Sequence, residues 1–289
     1  MDEKISKVEI ELLSAAIDRI VMQEVLEDEL LGTLPKVDEL NDSNKIYRGK
    51  VSVLFVDMRE STKLPEKYSA EQLVKVYRSY IRVVVQAIRY SGGIVRDFMG
   101  DGVLALFIDD TDGTSEDKAV HAARYITTVI DKFLNPVLDQ KMKHRISCGI
   151  GIHTGEISLS KVGMRGKEQN ENSENEFGIA WIGNSTNLAC KQSSAVECGT
   201  TFISTSTYAA LSDVNKSEKW KQVEISKGTN ILKGYIAEQY YLLLDEECEP
   251  CIAKSCLNTK NTTDIFDEKI EKITQRAEAL GLKQQKLDE

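Results

Sequence analysis

Two apolar, β-prone runs in this chain each meet an aspartate at one end. Lys50 to Val56 reads as a strand that runs into Asp57, and Asp101, set between Gly100 and Gly102, opens the run Val103-Leu104-Ala105-Leu106-Phe107. Such runs fit strands buried in a sheet. Each aspartate then falls on the rim of the sheet, beside an otherwise apolar layer. Either one alone reads as an ordinary turn residue, because Asp is common in turns. Two carboxylates brought together would form a compact site for two divalent cations, the arrangement used to move phosphoryl and nucleotidyl groups. Hard oxygen ligands suit Mg²⁺ or Mn²⁺. The turn after Asp57, from Met58 to Thr62, also offers backbone N–H groups to phosphate oxygens.

The function classes open to the chain are narrowed by its charge. Its 289 residues carry a formal net charge of −9 and no long Lys/Arg run. Sequence-independent nucleic-acid binding needs a basic footprint, so no nucleic-acid partner is expected. An acidic protein still binds a polyanionic nucleotide when metal ions carry the local positive charge. The start, Met1-Asp2-Glu3-Lys4-Ile5, has neither a basic nor an apolar leader region, and no stretch approaches the roughly 20 apolar residues that cross a bilayer. A cytoplasmic protein with no membrane partner is the expectation. Six cysteines stand at 148, 190, 198, 248, 251 and 256. Cys248 and Cys251 form a C-x-x-C pair beside Cys256, but the three histidines lie far off in sequence, so reduced thiols are expected rather than a zinc site.

The order of elements predicts an α+β fold with helices against a mostly antiparallel sheet. Ile5 to about Leu31 carries apolar residues at helical spacing, with acidic residues on the other face. Two readings stay open for it: a helix packed on its own domain, or a dimerisation helix. Ser69 with Gln72 predicts a capped helix to about Tyr90. Ile94 to Arg96 and Val103 to Phe107 read as a hairpin with Asp101 at the turn. A helix is predicted from about Ser115 to Leu134 and a strand from Arg145 to His153, where Gly149 and Gly151 leave room for close backbone approach. Lys167 to Glu176 reads as an exposed loop. Trp181-Ile182-Gly183-Asn184 leads into a helix through about Ser194. Thr201 to Ser204 is a short strand, Ser206 caps a helix ending near Leu211, and Tyr240 to Leu244 is the last strand. A polar segment from about Glu246 to Lys260 and an amphipathic helix from Asp264 to Leu287 follow. We divide the chain into an N-terminal helical extension (1–45), a catalytic domain (46–245), and a polar segment with a C-terminal helix (246–289).

Five stretches in register resemble the catalytic domain of class III nucleotidyl cyclases, the adenylate and guanylate cyclase family. They are Leu54-Phe55-Val56-Asp57-Met58 with Ser61-Thr62, Gly92-Gly93 through Gly100-Asp101 to Phe107, Gly149 to Glu156, Ile182-Gly183-Asn184-Ser185-Thr186-Asn187-Leu188-Ala189, and Leu232-Lys233-Gly234. The resemblance implies a cyclase-like α/β sandwich. It further implies that Asp57, Asp101 and the Met58 backbone carbonyl hold two divalent cations, and that Ser61, Thr62 and Lys233 contact the substrate phosphates. Asn187 matches the asparagine that orients the ribose, and Lys191 falls where the family usually has arginine. On a helix, i and i+4 share a face, so both reach one ligand; Lys keeps the charge but loses the bidentate fork. In-line attack of the ribose 3′-hydroxyl on the α-phosphate, releasing pyrophosphate, is the implied reaction. The implied assembly is a homodimer with two sites, each taking its aspartates from one subunit and Asn187 and Lys191 from the other. His153 invites a general-base reading, though a structural role is the simpler one.

The chain departs from both purine patterns at the base-reading positions. Asp97, four residues before Asp101, stands where adenylate cyclases have lysine, and Asn184, three before Asn187, replaces the usual acidic or hydroxyl residue. Glu60 stands where the family often has glycine. An acceptor at Asp97 and a donor–acceptor at Asn184 match uracil, cytosine and guanine, and adenine by exchange of roles. The stretch from Val95 to Asp101 most resembles the bacterial Pycsar anti-phage pyrimidine cyclases. That likeness implies UTP as substrate, with CTP next, a cyclic UMP product, and a separate cyclic-nucleotide-responsive effector. A purine cyclase, a catalytically inactive nucleotide-binding homologue and a dimerisation protein built on the terminal helices are the competing classes.

Overall fold

The structure, a computed structural model, describes residues 4–30, 32–164, 176–227 and 230–244. Its spine is β2 (Lys45–Met58), in which every residue from Val51 to Val56 is buried. A strand that is apolar on both faces needs a neighbour at each edge and a layer on each side. The neighbours are β4 (Gly102–Phe107) and β5 (Cys148–Met164), both antiparallel to β2. Beyond β4 lies β3 (Ile94–Met99); beyond β5 come β7 (Thr200–Ser204), β9 (Asn230–Glu238) and β8 (Lys221–Lys227). The short β1 (Leu26–Glu29) runs parallel to the start of β2, and β6 (Glu176–Ile182) pairs with the outer half of β5. Among the described residues only the β1–β2 and β5–β7 pairings are parallel, so the mostly antiparallel α+β sheet expected from the element order is the one observed.

One face of the sheet is covered by α2 (Ala70–Tyr90) and α3 (Ser115–Val129). Ser69 and Gln72 close the reciprocal capping box that starts α2. The helix turns Val76, Tyr80, Val84, Ala87 and Ile88 onto Leu54, Val56, Val103 and Phe107. Fully burying side chains of the Val and Ile size contributes about 1.5–3 kcal/mol each. Gly93, just after the helix, has the Phe107 ring against it; a Cβ there would come within 2.3 Å of the ring.

On the other face, α5 (Ser185–Ala195) lies across β5. A Cβ on Gly151 would stand 2.1 Å from Ala189 O and 2.4 Å from Ser193 N, so only glycine admits the helix backbone at this depth. Ser193 Oγ donates to Gly149 O at 2.8 Å and Ser185 Oγ to Glu156 O at 3.2 Å, fixing both ends of the helix to the strand. The β8–β9 hairpin closes over α5 from outside, with Leu232 and Val196 packed on Leu188 and Ala195.

Several expectations need correction. The first helix, α1 (Lys7–Met22), stops well short of Leu31, and the chain enters β1 instead. It buries no residue, so packing on its own domain fails as an account of its apolar stripe. Asn44 Nδ2 holds its C-terminal end through Ile20 O and Gln23 O. The helix predicted from Ser115 to Leu134 continues through a π-helical turn (Ile130–Leu134) into α4 (Asn135–Met142), where Pro136 sits in the first turn and sacrifices little. The strand predicted to end at His153 starts at Cys148 and runs on to Met164, because β2 pairs with it as far as Leu159. Ser204, not Ser206, caps α6 (Thr205–Ala210). Tyr240 to Leu244 is no strand: Arg124 donates to Tyr241 O and Thr128 Oγ1 accepts from Leu242 N, so side chains of α3 satisfy its backbone. Cys148, Cys190 and Cys198 are free thiols. The other three cysteines, the 246–260 segment, the 264–287 helix and the 167–175 stretch lie outside the described residues. No helix among the described residues is long and apolar enough to cross a membrane.

Candidate active site

Asp57 is the penultimate residue of β2 and pairs in register with Gly149. Strand alternation puts it on the α5 side of the sheet with Val53 and Phe55, while Met58 turns back into the core beneath α2. The Met58 backbone therefore ends the strand at the rim beside Asp57. Asp101 is the second residue of the Gly100-Asp101 turn between β3 and β4, with Met99 paired to Gly102. Gly100 takes φ +68°, the left-handed conformation that tight hairpin turns demand. The structure thus brings the two sequence-predicted aspartates together.

The two carboxylates are near enough for each to feel the other's charge. Burial raises the Asp57 carboxyl above its usual range; the neighbouring Asp101 charge raises it further, and Arg59 works against both. Asp101 Oδ2 is buried and has no hydrogen-bond partner among the described residues. Two adjacent carboxylates, one with an unmatched inner oxygen, form an arrangement that a hard cation relieves. No group of three or more His, Cys, Asp or Glu suited to a metal occurs among the described residues. The pair fits Mg²⁺ or Mn²⁺ of the kind held by one or two carboxylates and completed by substrate phosphates and water.

The loop after Asp57 carries the two phosphate candidates. Ser61 and Thr62 open a short 3₁₀ segment (Ser61–Glu66) at the same rim, and Glu60 enters it at φ 57°. That left-handed conformation explains why glycine would suit the position; Glu60 is held there with an ion pair to Lys63 at 2.7 Å.

Asn184, Asn187 and Lys191 form one exposed stripe on α5, opposite the buried Ser185, Ala189, Gln192 and Ser193. The i, i+4 relation between Asn187 and Lys191 is therefore realised. Lys233 is exposed on β9 and pairs with Glu224 across the hairpin at 3.1 Å. Its neighbour Leu232 packs toward α5, so strand alternation turns Lys233 to the opposite side of the hairpin. Asp97 is exposed on β3 and accepts the N–H of Phe98 at 2.8 Å. A bulge between Val95 and Asp97 makes Arg96 the extra residue, with its guanidinium over the Trp181 ring. His153 lies within β5 rather than at its end; burial lowers its pKa and its Nδ1 has no partner, consistent with a neutral ring.

Arg59 escaped the sequence reading. It lies 3.5 Å from Asp57 and donates to Ser193 O and Val196 O at the C-terminal end of α5. A cation suits a helix C-terminus, and this one also ties the helix to the carboxylate site. Gly149 makes the space for it, since a Cβ there would overlap the guanidinium.

The chain has counterparts among known proteins. Residues 44–244 match the adenylate and guanylate cyclase catalytic domain. That is more than half of the chain, and the chain belongs to this family of nucleotidyl cyclases. It is 28% identical over 175 residues to a uridylate cyclase of Xanthomonas perforans, covering 60% of this chain and 70% of that protein. An adenylate cyclase of Anabaena cylindrica is 32% identical over 118 residues, covering 40% of this chain and 23% of the relative. Among solved structures, the guanylyl cyclase Cya2 aligns with a TM-score of 0.52 and 26% identity, over 66% of this chain and 93% of the other.

Proposed function

We propose that this protein cyclises a pyrimidine nucleoside triphosphate, UTP ahead of CTP, to the 3′,5′-cyclic monophosphate with release of pyrophosphate. The buried, unmatched oxygen of Asp101 beside Asp57 is the observation that carries the reading, because a hard cation would match it. Asp57, Asp101 and the Met58 carbonyl would hold two Mg²⁺ or Mn²⁺ ions, which would supply Lewis acidity at the ribose 3′-hydroxyl and the phosphates. Ser61 and Thr62 seat the triphosphate beside them. The 3′-oxygen attacks the α-phosphorus in line, the bond to the β-phosphate oxygen breaks, and the hydroxyl proton leaves to solvent. Asn187 orients the ribose, while Lys191 and Lys233 neutralise the departing pyrophosphate. No side-chain nucleophile takes part.

Because Asn187 and Lys191 stand on the outer face of α5, we assign them to the site of a second subunit, giving a homodimer with two composite sites. Pyrimidine specificity is supported by the likeness to a uridylate cyclase and by Asp97, which puts an exposed acceptor where adenylate cyclases have lysine. Asn184, exposed and without a capping hydrogen bond, is free to read the same base edge. We further infer a cytoplasmic role in bacterial anti-phage defence, in which the cyclic nucleotide activates a separate effector. Incubating the purified protein with each nucleoside triphosphate and Mn²⁺, and identifying products by mass spectrometry, tests the substrate. Cyclic UMP is the expected main product, and cyclic AMP as the sole product would overturn the pyrimidine assignment.

A further inference from the structure

β3 and β4 do not pair evenly. Val95 faces Ala105 and Asp97 faces Leu104, so Arg96 is one residue too many. That extra residue decides which face of the sheet Asp97 occupies. Directly paired residues share a face. Leu104 belongs to the core on the α5 side, with Ala189, whereas Val103 and Ala105 belong to the core beneath α2. Even pairing would set Arg96 opposite Leu104 and Asp97 opposite Val103, on the α2 side. A one-residue shift reverses faces, and a bulge re-aims a side chain in this way. Asp97 stands on the side that α5 covers, the side of Asn184 and Asn187, because Arg96 is bulged out.

A bulged residue has no place of its own in the ladder, so something else has to fix it. Arg96 Nε and Nη2 are buried without a hydrogen-bond partner among the described residues. The contact that Arg96 does make is with Trp181: its Cζ stands 5.7 Å from the centroid of the indole, within cation–π range. Trp181 is well held in turn. It pairs with Leu159 on β5 and packs on the cluster that contains Leu104 and Leu106. Three residues further on, Asn184 caps the start of α5. The stack thus joins the strand that carries Asp97 to the strand that leads into Asn184.

We propose that Arg96 is a positioning residue for base recognition: stacked on Trp181, it pins the β3 bulge and so keeps Asp97 turned to the α5 side. Arg96 and Trp181 act through Asp97 rather than on the base. This inference rests on the reading of Asp97 as a base-reading residue.

The test measures kcat/KM of the full chain for UTP and for CTP with Mn²⁺, alongside thermal unfolding. Arg96→Met and Trp181→Leu should each reduce the preference between the two nucleotides about 10-fold. Trp181→Phe keeps a ring under the guanidinium and should keep the wild-type preference. Adding Arg96→Met to Asp97→Ala should change the preference no further, because the residue it acts through is gone. An unchanged preference in both Arg96→Met and Trp181→Leu would overturn the proposal. So would an equal loss with UTP and CTP that follows a loss of stability. Asp97→Ala separates the two readings: wild-type preference in that variant would overturn the base-reading role of Asp97 itself, whereas lost preference there with wild-type preference in Arg96→Met would overturn this inference alone.

Discussion

Near the start of the buried part of β2, Lys50 lies 2.7 Å from Glu116, a carboxylate only 1% exposed. Next to it, Ser52 Oγ is 2.7 Å from Thr154 Oγ1 and donates to Ser115 Oγ at 3.1 Å, and the chain of hydroxyls continues through Thr207 to Ser204. At the far end of the same strand, Asp57 faces Asp101, and Arg59 Nε, Tyr80 Oη and Asp101 Oδ2 are all buried without a hydrogen-bond partner. One strand therefore carries a polar cluster joined by an ion pair and a chain of hydroxyls, in which Glu116 Oε1 meets Lys50 as an ion pair without hydrogen-bond geometry, and another cluster in which three buried atoms around two carboxylates are unmatched. Buried polar groups are normally matched, and the first cluster shows that this sheet is capable of matching them. Two adjacent carboxylates make this end the one that a hard cation would suit.

The largest effect that separates the two ends is catalytic. Asp57→Asn or Asp101→Asn should remove about 4 kcal/mol of transition-state stabilisation, roughly 10³-fold in rate, with stability kept or improved because a like-charge contact is gone. Steady-state turnover and thermal unfolding of each variant check this; retained turnover in either would break the two-metal assignment. The matched end should respond in the opposite way. Lys50→Met strands Glu116 in the interior and should cost about 3 kcal/mol of stability, measured by urea unfolding, with turnover per folded molecule close to wild type. A kinetic defect without a stability defect would erase the contrast.

The smallest effect is in pH. The folded-state pKa of Asp57 is raised above the ordinary 3.8, by burial first and Asp101 second. The native state then holds the proton longer than the unfolded chain, so wild-type stability falls as pH rises through that interval. Asp57→Asn should therefore gain stability relative to wild type at neutral pH, and the gain should vanish below the unfolded-state value. Urea titrations from pH 3 to 8 measure it; a gain that does not depend on pH would place its origin elsewhere.

Much of this contrast was legible in the chain and part of it was not. Asp57 and Asp101 stood out because each punctuates an apolar run, and α2 was readable from Ser69 and Gln72 because a capping box is local. The β8–β9 hairpin went unread, since its strands carry Lys221, Glu224 and Lys233 outward and its place in the sheet depends on the pairing of β9 with the distant β7. The apolar run Tyr240 to Leu244 was misread because a short run does not reveal whether strand neighbours or helix side chains will satisfy its backbone. Arg59 was invisible as a structural link because its acceptors, Ser193 and Val196, lie 134 and 137 residues away. Tyr80 lies at i, i+4 spacing from Val76 and Val84, and nothing in that apolar pattern signals that its buried hydroxyl stays unmatched.

The proposed site joins the unmatched end of one β2 to the exposed stripe of another subunit's α5. Mixing Asp57→Asn with Asn187→Ala subunits, each inactive alone, tests that assembly. Random pairing puts half the dimers in mixed form with one intact site of two, so about a quarter of wild-type activity should return. Activity no greater than the sum of the two separate variants, with mixed dimers verified by differential tags, would contradict it.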